Sequence, residues 1–120
     1  MIRGVRGATT SKANDEKEIL AATKEVLEQM IKENDIIPEQ VAQVLITVTP
    51  DLTATFPAKA LRMFEGWPYV PVMCATEIPV PNALEKCIRI MMTINTEKSQ
   101  KEIKHIYLRE AKQLRPELAR

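Results

Sequence analysis

The sequence predicts a single α+β domain built on one mixed β-sheet, with one long helix and one short helix. Short apolar runs bounded by glycine, proline or polar residues recur along the chain, as is typical of buried strands. One long segment instead repeats its apolar residues with the period of an α-helix. The 120 residues match the size of one domain, and no low-complexity linker divides them.

Residues 2–9 are predicted to form the first strand, interrupted by Gly4 and Gly7. Glycine inside a strand marks either a bulge or a close approach by another element, and the sequence leaves both open. Arg3 and Arg6 lie three positions apart, so a regular strand points them to opposite faces. One of them is therefore expected to point inward and to need a partner.

An amphipathic helix is predicted over residues 14–34. Asn14 is the expected N-cap, and acidic residues follow it in the first turn, where they complement the helix dipole. Apolar residues repeat every three to four positions, and charged residues lie largely on the opposite side. This pattern predicts a helix that covers one face of a sheet.

The rest of the chain is predicted to form four strands and two short helical segments. The helical segments start near Pro38 and Pro57, and the strands span residues 41–48, 70–75, 88–94 and 105–108. Residues from about 110 to 120 are expected to form a mobile tail. The strands are apolar on both faces, and so few helices cannot cover both. We therefore expect the second sheet face to be buried by association.

Composition excludes several classes of function. The net charge of +1 gives no general attraction to polyanions, and 4% aromatic residues are too few for a base-stacking platform. The single histidine excludes a multi-histidine metal site. No signal peptide is expected, and the apolar runs are too short to cross a bilayer. Two cysteines without a CxxC pattern favour free thiols in a reducing cytoplasm, while one disulfide stays open as an alternative.

Arg89 is the most informative residue because it lies inside an apolar strand. It is either an edge-strand arginine that faces water or a buried guanidinium that meets an anion, since an unpaired buried charge is very costly. Arg6 leaves the same two alternatives open. A strand arginine with an anionic partner points to a site for a small dianion.

Four further residues carry chemistry that the pattern alone does not assign. Glu77 is typical of a loop carboxylate, Tyr107 of a core residue with a bonded hydroxyl, and His105 of a structural or exposed residue. Cys74 has no base nearby in the sequence that would make it a nucleophile.

Blocks distributed over the whole chain share the pattern of one known family. They stand at residues 1–10, 49–52, 56–60, 70–72, 87–91, 105–111 and 114–118. In this order and spacing they resemble the AroH class of chorismate mutases. The resemblance implies a homotrimer with a barrel-like sheet core and active sites between subunits. It also implies that chorismate is rearranged to prephenate, for phenylalanine and tyrosine biosynthesis, without cofactor, metal, nucleic acid or membrane.

The resemblance also implies roles for individual residues. Arg89 matches the arginine that contacts the ether oxygen and a carboxylate of the substrate. Arg6 and Tyr107 match groups that bind a carboxylate, and Glu77 and Cys74 match a pair near the ring hydroxyl.

Eight other residues match the walls and the mouth of the family's cleft. Phe56, Ala58, Val72 and Leu114 match apolar walls, Lys59 and Arg62 match cations at the mouth, and Arg115 lies on the tail that closes over it. Met73 stands where the family commonly has a small polar residue beside the substrate ring.

The implied reaction accounts for the scarcity of acid–base and nucleophilic groups. A Claisen rearrangement is pericyclic and transfers no proton, so the site has to hold a compact conformer and stabilise charge on the ether oxygen. Two alternatives stay open at this point: an imine deaminase on a similar trimeric fold, and a non-catalytic trimeric binder of small anionic metabolites.

Overall fold

Five strands and two helices make up the regular structure of the chain. The computed structural model describes residues 1–115. Its strands are β1 (Ile2–Thr10), β2 (Val41–Val48), β3 (Val72–Thr76), β4 (Cys87–Asn95) and β5 (Ile106–Tyr107), and its helices are α1 (Glu16–Glu33) and α2 (Ala58–Leu61). The strands form one sheet in the order β3-β2-β4-β1-β5. Strand β4 is central and antiparallel to both neighbours, and β3 and β5 add parallel at the edges. The predicted mixed sheet and element order are confirmed.

Helix α1 packs its apolar stripe on one face of the sheet and forms the main core with it. The N-cap is Asp15 rather than the predicted Asn14, because the Asp15 carboxylate accepts the Glu18 backbone N–H at 3.1 Å. The Asn14 side chain instead accepts the backbone N–H groups of Thr53 and Ala54 at 2.9 and 3.0 Å. It therefore fastens the loop after β2 to the start of the helix.

Gly7 permits the close approach between β1 and α1. A Cβ atom at this position would lie 2.3 Å from Met30 Sδ and 3.2 Å from Val26 Cγ2. The pairing of β1 with β4 runs without a break from Ile2 to Thr10. The glycines thus do not interrupt the strand, and at Gly7 a close approach rather than a bulge explains the residue.

Strand β3 begins at Val72, two residues later than predicted. Pro71 has no N–H, and its carbonyl accepts the Val44 N–H at 2.9 Å, while the Val70 N–H bonds within a turn to the Trp67 carbonyl. Val70 therefore lies in a turn, and Pro71 contributes only its carbonyl to the pairing with β2.

The predicted tail starts too early. Arg109–Gln113 form a short 3₁₀ helix in which Ala111 is fully buried. Arg109 ties this turn to the domain, since its Nη1 donates to the Thr10 carbonyl at 3.1 Å and its Nε donates to Glu25 at 3.2 Å. Residues 116–120, the end of the predicted tail, lie outside the described residues.

The sheet face opposite α1, here called the open face, carries exposed apolar side chains. They include Ile2, Leu45, Met73 and Met91, which are 62%, 43%, 73% and 42% exposed. The single chain therefore leaves the apolar second face uncovered, as predicted. Both cysteines are free thiols. Among residues 1–115, no helix is long and apolar enough to cross a membrane.

Candidate active site

The candidate site is built on a row of side chains that crosses the open face. In the strand register, Ala75 lies beside Thr47, Thr47 beside Arg89, Arg89 beside Ala8 and Ala8 beside Tyr107. Paired residues in neighbouring strands point to the same face. The fold therefore brings Arg89 and Tyr107 together across the small side chain of Ala8, about 10 Å apart at two strand spacings.

A second row runs parallel to the first: Met73, Leu45, Met91 and Arg6 are neighbours in the register. Leu45, Met91 and Arg6 line a cavity, whereas Met73 lies on the edge strand β3 outside the cavity lining. The cavity has a volume of about 380 Å³ and is lined by residues of both rows together with Glu77, Leu114 and Arg115. Six of the predicted site residues therefore converge here: Arg6, Glu77, Arg89, Tyr107, Leu114 and Arg115.

Arg89 is held by a bidentate ion pair with Glu77. Its Nε donates to Oε2 at 2.7 Å and its Nη2 donates to Oε1 at 2.6 Å. Thr47 Oγ1 also donates to the Glu77 carboxylate. Glu77 follows the end of β3, where its own N–H bonds to the Val48 carbonyl. The carboxylate is thus fixed at the strand end and fixes the guanidinium in turn.

The ion pair sets the charge of the site. The hydrogen bond from Arg89 lowers the pKa of Glu77, while partial burial opposes that shift and the Thr47 hydrogen bond supports it. The same bond raises the pKa of Arg89. Burial raises the pKa of the neighbouring Cys87 thiol to about 11, so this thiol stays protonated at neutral pH.

Arg89 is neither a water-facing residue of an edge strand nor a buried guanidinium, the two alternatives that the sequence leaves open. Arg89 lies on the central strand β4, so it is not an edge-strand residue. The guanidinium is not buried in the single chain either, because the side chain is 53% exposed, whereas that of Glu77 is 16% exposed. It meets an anion of its own chain and keeps a solvent-facing side toward the cavity.

The far wall of the cavity is a small cluster separate from the main core. Ala8, Tyr107 and Ala111 are buried together, and Leu114 packs against them. The 3₁₀ helix that follows β5 therefore carries Leu114 and Arg115 to the cavity. Tyr107 is 4% exposed, which agrees with the core position that the sequence predicts.

The other predicted site residues lie elsewhere in the chain. Phe56, Lys59 and Cys74 line a second cavity of about 520 Å³ between the loop after β2 and strand β3. Cys74 pairs in register with Ile46 and packs against the main core, so it lies on the sheet face opposite Glu77. Ala58 is buried, Val72 packs against the core, Arg62 and Met73 are exposed, and Lys59 Nζ is 2.8 Å from Glu16 Oε2.

Two residues at the site were not among the predicted ones. Thr47 interrupts the apolar run of β2 as Arg89 interrupts that of β4, and the two are register partners. The polar residue within each apolar run can be read from the sequence, although the pairing of the two cannot. Ala8 has no comparable signal, because its importance comes from lying between Arg89 and Tyr107 in the sheet.

Two arginines, a carboxylate and a tyrosine around one concave surface define a site for a small anionic molecule on a mixed α+β sheet. Comparisons with known proteins agree on one family. The profile of the family described as chorismate mutase type I matches residues 2–118. The chain belongs to this family, and its class is that of an isomerase.

The similarity extends over whole chains. The chain is 53% identical to chorismate mutase AroH of Bacillus subtilis (strain 168), over 99% of this chain and 94% of that protein. It is 44% identical to chorismate mutase AroH of Thermus thermophilus, over 98% and 97%. A solved chorismate mutase from Clostridium thermocellum superposes with a TM-score of 0.89 at 46% identity, over 92% of this chain and 97% of that one. These matches confirm the predicted family and decide against an imine deaminase or a non-catalytic binder.

Proposed function

We propose that this chain rearranges chorismate to prephenate in the cavity on its open face, as a homotrimer and without proton transfer. The observation that carries the proposal is the row Arg89–Ala8–Tyr107, with Arg6 in the adjacent row. It supplies fixed cations and a hydroxyl group to a substrate with two carboxylates. The reaction breaks one C–O bond and forms one C–C bond within a single molecule, so it needs no base, acid or nucleophile.

Arg89 stabilises the negative charge that grows on the ether oxygen as the C–O bond lengthens. A guanidinium has five N–H donors, and Glu77 accepts only the Nε–H and one Nη2–H. Three donors are left for the substrate. The ion pair therefore orients the guanidinium without occupying it, which is the preorganisation that electrostatic catalysis requires.

Arg6 and Tyr107 hold the substrate in the compact, reactive conformer. Both line the cavity, one from each row of the open face. Binding the carboxylates at fixed positions restricts the two ends of the substrate to a reactive geometry. Glu77 is a carboxylate at neutral pH, and Arg89 lowers its pKa further; it accepts a hydrogen bond from the ring hydroxyl.

The second cavity completes the site from a neighbouring copy. Phe56, Lys59 and Cys74 line it, and Ala58, Arg62 and Val72 lie on the same or adjoining segments. The two cavities lie on separate surfaces of one chain. Packing one copy's β3 edge, with Met73, against the next copy's open face would join the two surfaces. Lys59 and Arg62 then provide cations at the mouth, which attract the dianion, and Leu114 and Arg115 cover it from the C-terminal side.

The apolar open face supports a homotrimer with a barrel-like core. An exposed apolar surface of this kind in a small domain favours association. Three sheets that turn their open faces to one another would bury it. We place the enzyme in the cytoplasm, where its two free thiols stay reduced.

The direct test is an assay of purified protein with chorismate, followed by loss of the substrate's ultraviolet absorbance. We expect conversion far faster than in buffer, with prephenate as the product. We also expect kcat to be nearly constant above neutral pH, because no group transfers a proton. No acceleration, or a bell-shaped profile of kcat, would overturn the proposal.

A further inference from the structure

Strand β5, which carries Tyr107, is only two residues long. Its parallel ladder with β1 contains the pairs Gly7–Ile106 and Ala8–Tyr107, and it is extended at one end by the Leu108 N–H, which donates to the Ala8 carbonyl. At the other end, the Arg6 backbone N–H donates to the imidazole Nδ1 of His105 at 3.0 Å. A side chain therefore provides the acceptor at the beginning of β5.

This hydrogen bond links Arg6 to the segment that carries Tyr107. It begins on the backbone of Arg6 and ends on the residue that is two positions before Tyr107. The bond also requires a neutral imidazole with the proton on Nε2, because a protonated Nδ1 is a donor and cannot accept. Protonation of His105 therefore breaks the bond.

The chain on the other side of His105 is fixed by α1. The Asn34 side chain, which is 3% exposed, accepts the Lys104 N–H at 2.8 Å and donates to the Lys104 carbonyl at 2.9 Å. Lys104 is thus held by the side-chain amide of Asn34, whereas His105 is held through its own imidazole.

Charged residues from β1 lie in the same cleft as His105. The same cleft is lined by Arg3 and Arg6 from β1 and by Gln100 from the 3₁₀ helix Gln100–Glu102. Arg3 Nε donates to the Lys98 carbonyl. The Glu102 carboxylate accepts the Ser99 N–H, and Lys104 Nζ is 3.9 Å from Glu33 Oε1. Arg3 and Arg6 are thus the charged residues that line this cleft with His105.

We propose that His105 is a positioning residue that fastens β5 to β1 and so sets the distance between Arg6 and Tyr107. The inference rests on the proposed function, in which both residues bind substrate carboxylates. Loss of this bond frees β5 from β1 and weakens substrate binding. Since Arg89 is on β4 and is not held by this bond, the effect falls on KM more than on kcat.

Substitution at His105 tests the role in solution. His105→Asn keeps an acceptor oxygen at the place of Nδ1 but does not titrate, whereas His105→Ala removes the acceptor. At pH 7.5 we expect KM to be about tenfold higher in His105→Ala than in the wild type, the effect of one lost hydrogen bond, with a smaller change in kcat. His105→Asn should restore a low KM. An Asn variant no better than Ala, or an Ala variant that loses kcat rather than KM, would contradict the proposal.

The proton position can be measured in the unmodified protein. Because the chain has a single histidine, its ring nitrogens give one pair of ¹⁵N signals. At pH 8 we expect Nδ1 to be the unprotonated nitrogen and the Arg6 amide proton to report the bond, with both signals changing together on acidification. A proton on Nδ1 at pH 8 would overturn the inference even if the variants do not fold. A wild type that does not convert chorismate at pH 8 would instead overturn the proposed function, so the two failures are distinguishable.

Discussion

Arg89 and Glu77 form the pair on which the proposed chemistry depends, and their side-chain exposures differ. The Arg89 side chain is half exposed, whereas Glu77 is mostly buried and bonded by both Arg89 and Thr47. The carboxylate is therefore the fixed member, and the guanidinium takes its direction from it. Sequence pattern alone assigns Glu77 to a loop, because neither the register of Thr47 with Arg89 nor the end of β3 beside them can be read from local spacing.

The ion pair predicts an acid-dependent loss of stability. Arg89 lowers the pKa of Glu77 in the folded chain, so the pair stabilises the fold above the unfolded carboxyl pKa of about 4.3 and loses that contribution as the pH falls through the folded value. We expect Glu77→Gln to be less stable than the wild type at pH 7 and the difference to shrink at pH 3. Urea unfolding at one protein concentration measures it, and an unchanged difference would contradict the pairing.

At the scale of elements, the packing of α1 on β1 depends on Gly7. Added methyl groups in a tight interface cost about 1–3 kcal/mol, and a Cβ here would meet Met30 and Val26. We expect Gly7→Ala to lower the free energy of unfolding by this amount. Gly4→Ala is the matched control, because its Cβ would meet only Met91 Sδ, at 3.3 Å on the open face. Equal losses in both variants would show that strand flexibility, not the helix contact, explains Gly7.

The same strand carries a buried hydroxyl without a partner among the described residues. Thr9 is fully buried, and its Oγ1 has no hydrogen bond within residues 1–115. We expect Thr9→Val to raise the free energy of unfolding by about 1 kcal/mol, because it removes an unsatisfied polar group. Thr10→Val, whose hydroxyl accepts the Glu110 N–H at 3.4 Å, should instead lower it. Thermal unfolding decides between them, and a destabilised Thr9→Val would contradict this assignment.

The elements themselves follow from local pattern more completely than the site does. Periodicity alone places α1 and all five strands in order, since the apolar residues that define them also form the core. The predicted N-cap, Asn14, lies one residue before the observed one, because Asn14 bonds to a loop about forty residues away. The predicted tail also begins too early, because Arg109 bonds to Glu25 and Thr10 and so holds the start of that segment on the domain. Such long-range contacts leave no periodic signal.

At the scale of the whole molecule, the predicted site residues are divided between two cavities of one chain. Six predicted residues line the first cavity, while Phe56, Lys59 and Cys74 line the second. The family resemblance predicts residues of both groups, but only the sheet register shows that the two groups lie in different cavities. Assembly of several copies is the step that would unite them.

The open face therefore predicts the oligomeric state. Light scattering should give three times the 13.6 kDa mass of the chain. Ile2→Asp places a carboxylate on the open face but outside the cavity, and it should reduce both the mass and the turnover at a fixed protein concentration. Ala21→Asp, which adds the same charge at an exposed position of α1, should leave both unchanged. A monomeric wild type with full activity would contradict a site shared between copies.

Turnover by an Arg89→Ala variant tests the electrostatic account most directly. We expect kcat to fall by at least about 10²–10³, the loss typical of one transition-state donor, with a smaller change in KM. Arg3→Ala is the control for loss of an arginine from the same sheet, since Arg3 lies outside the cavity and its Nε bonds to the Lys98 carbonyl. A folded Arg89→Ala trimer with kcat near that of the wild type would contradict the claim that this guanidinium stabilises the transition state.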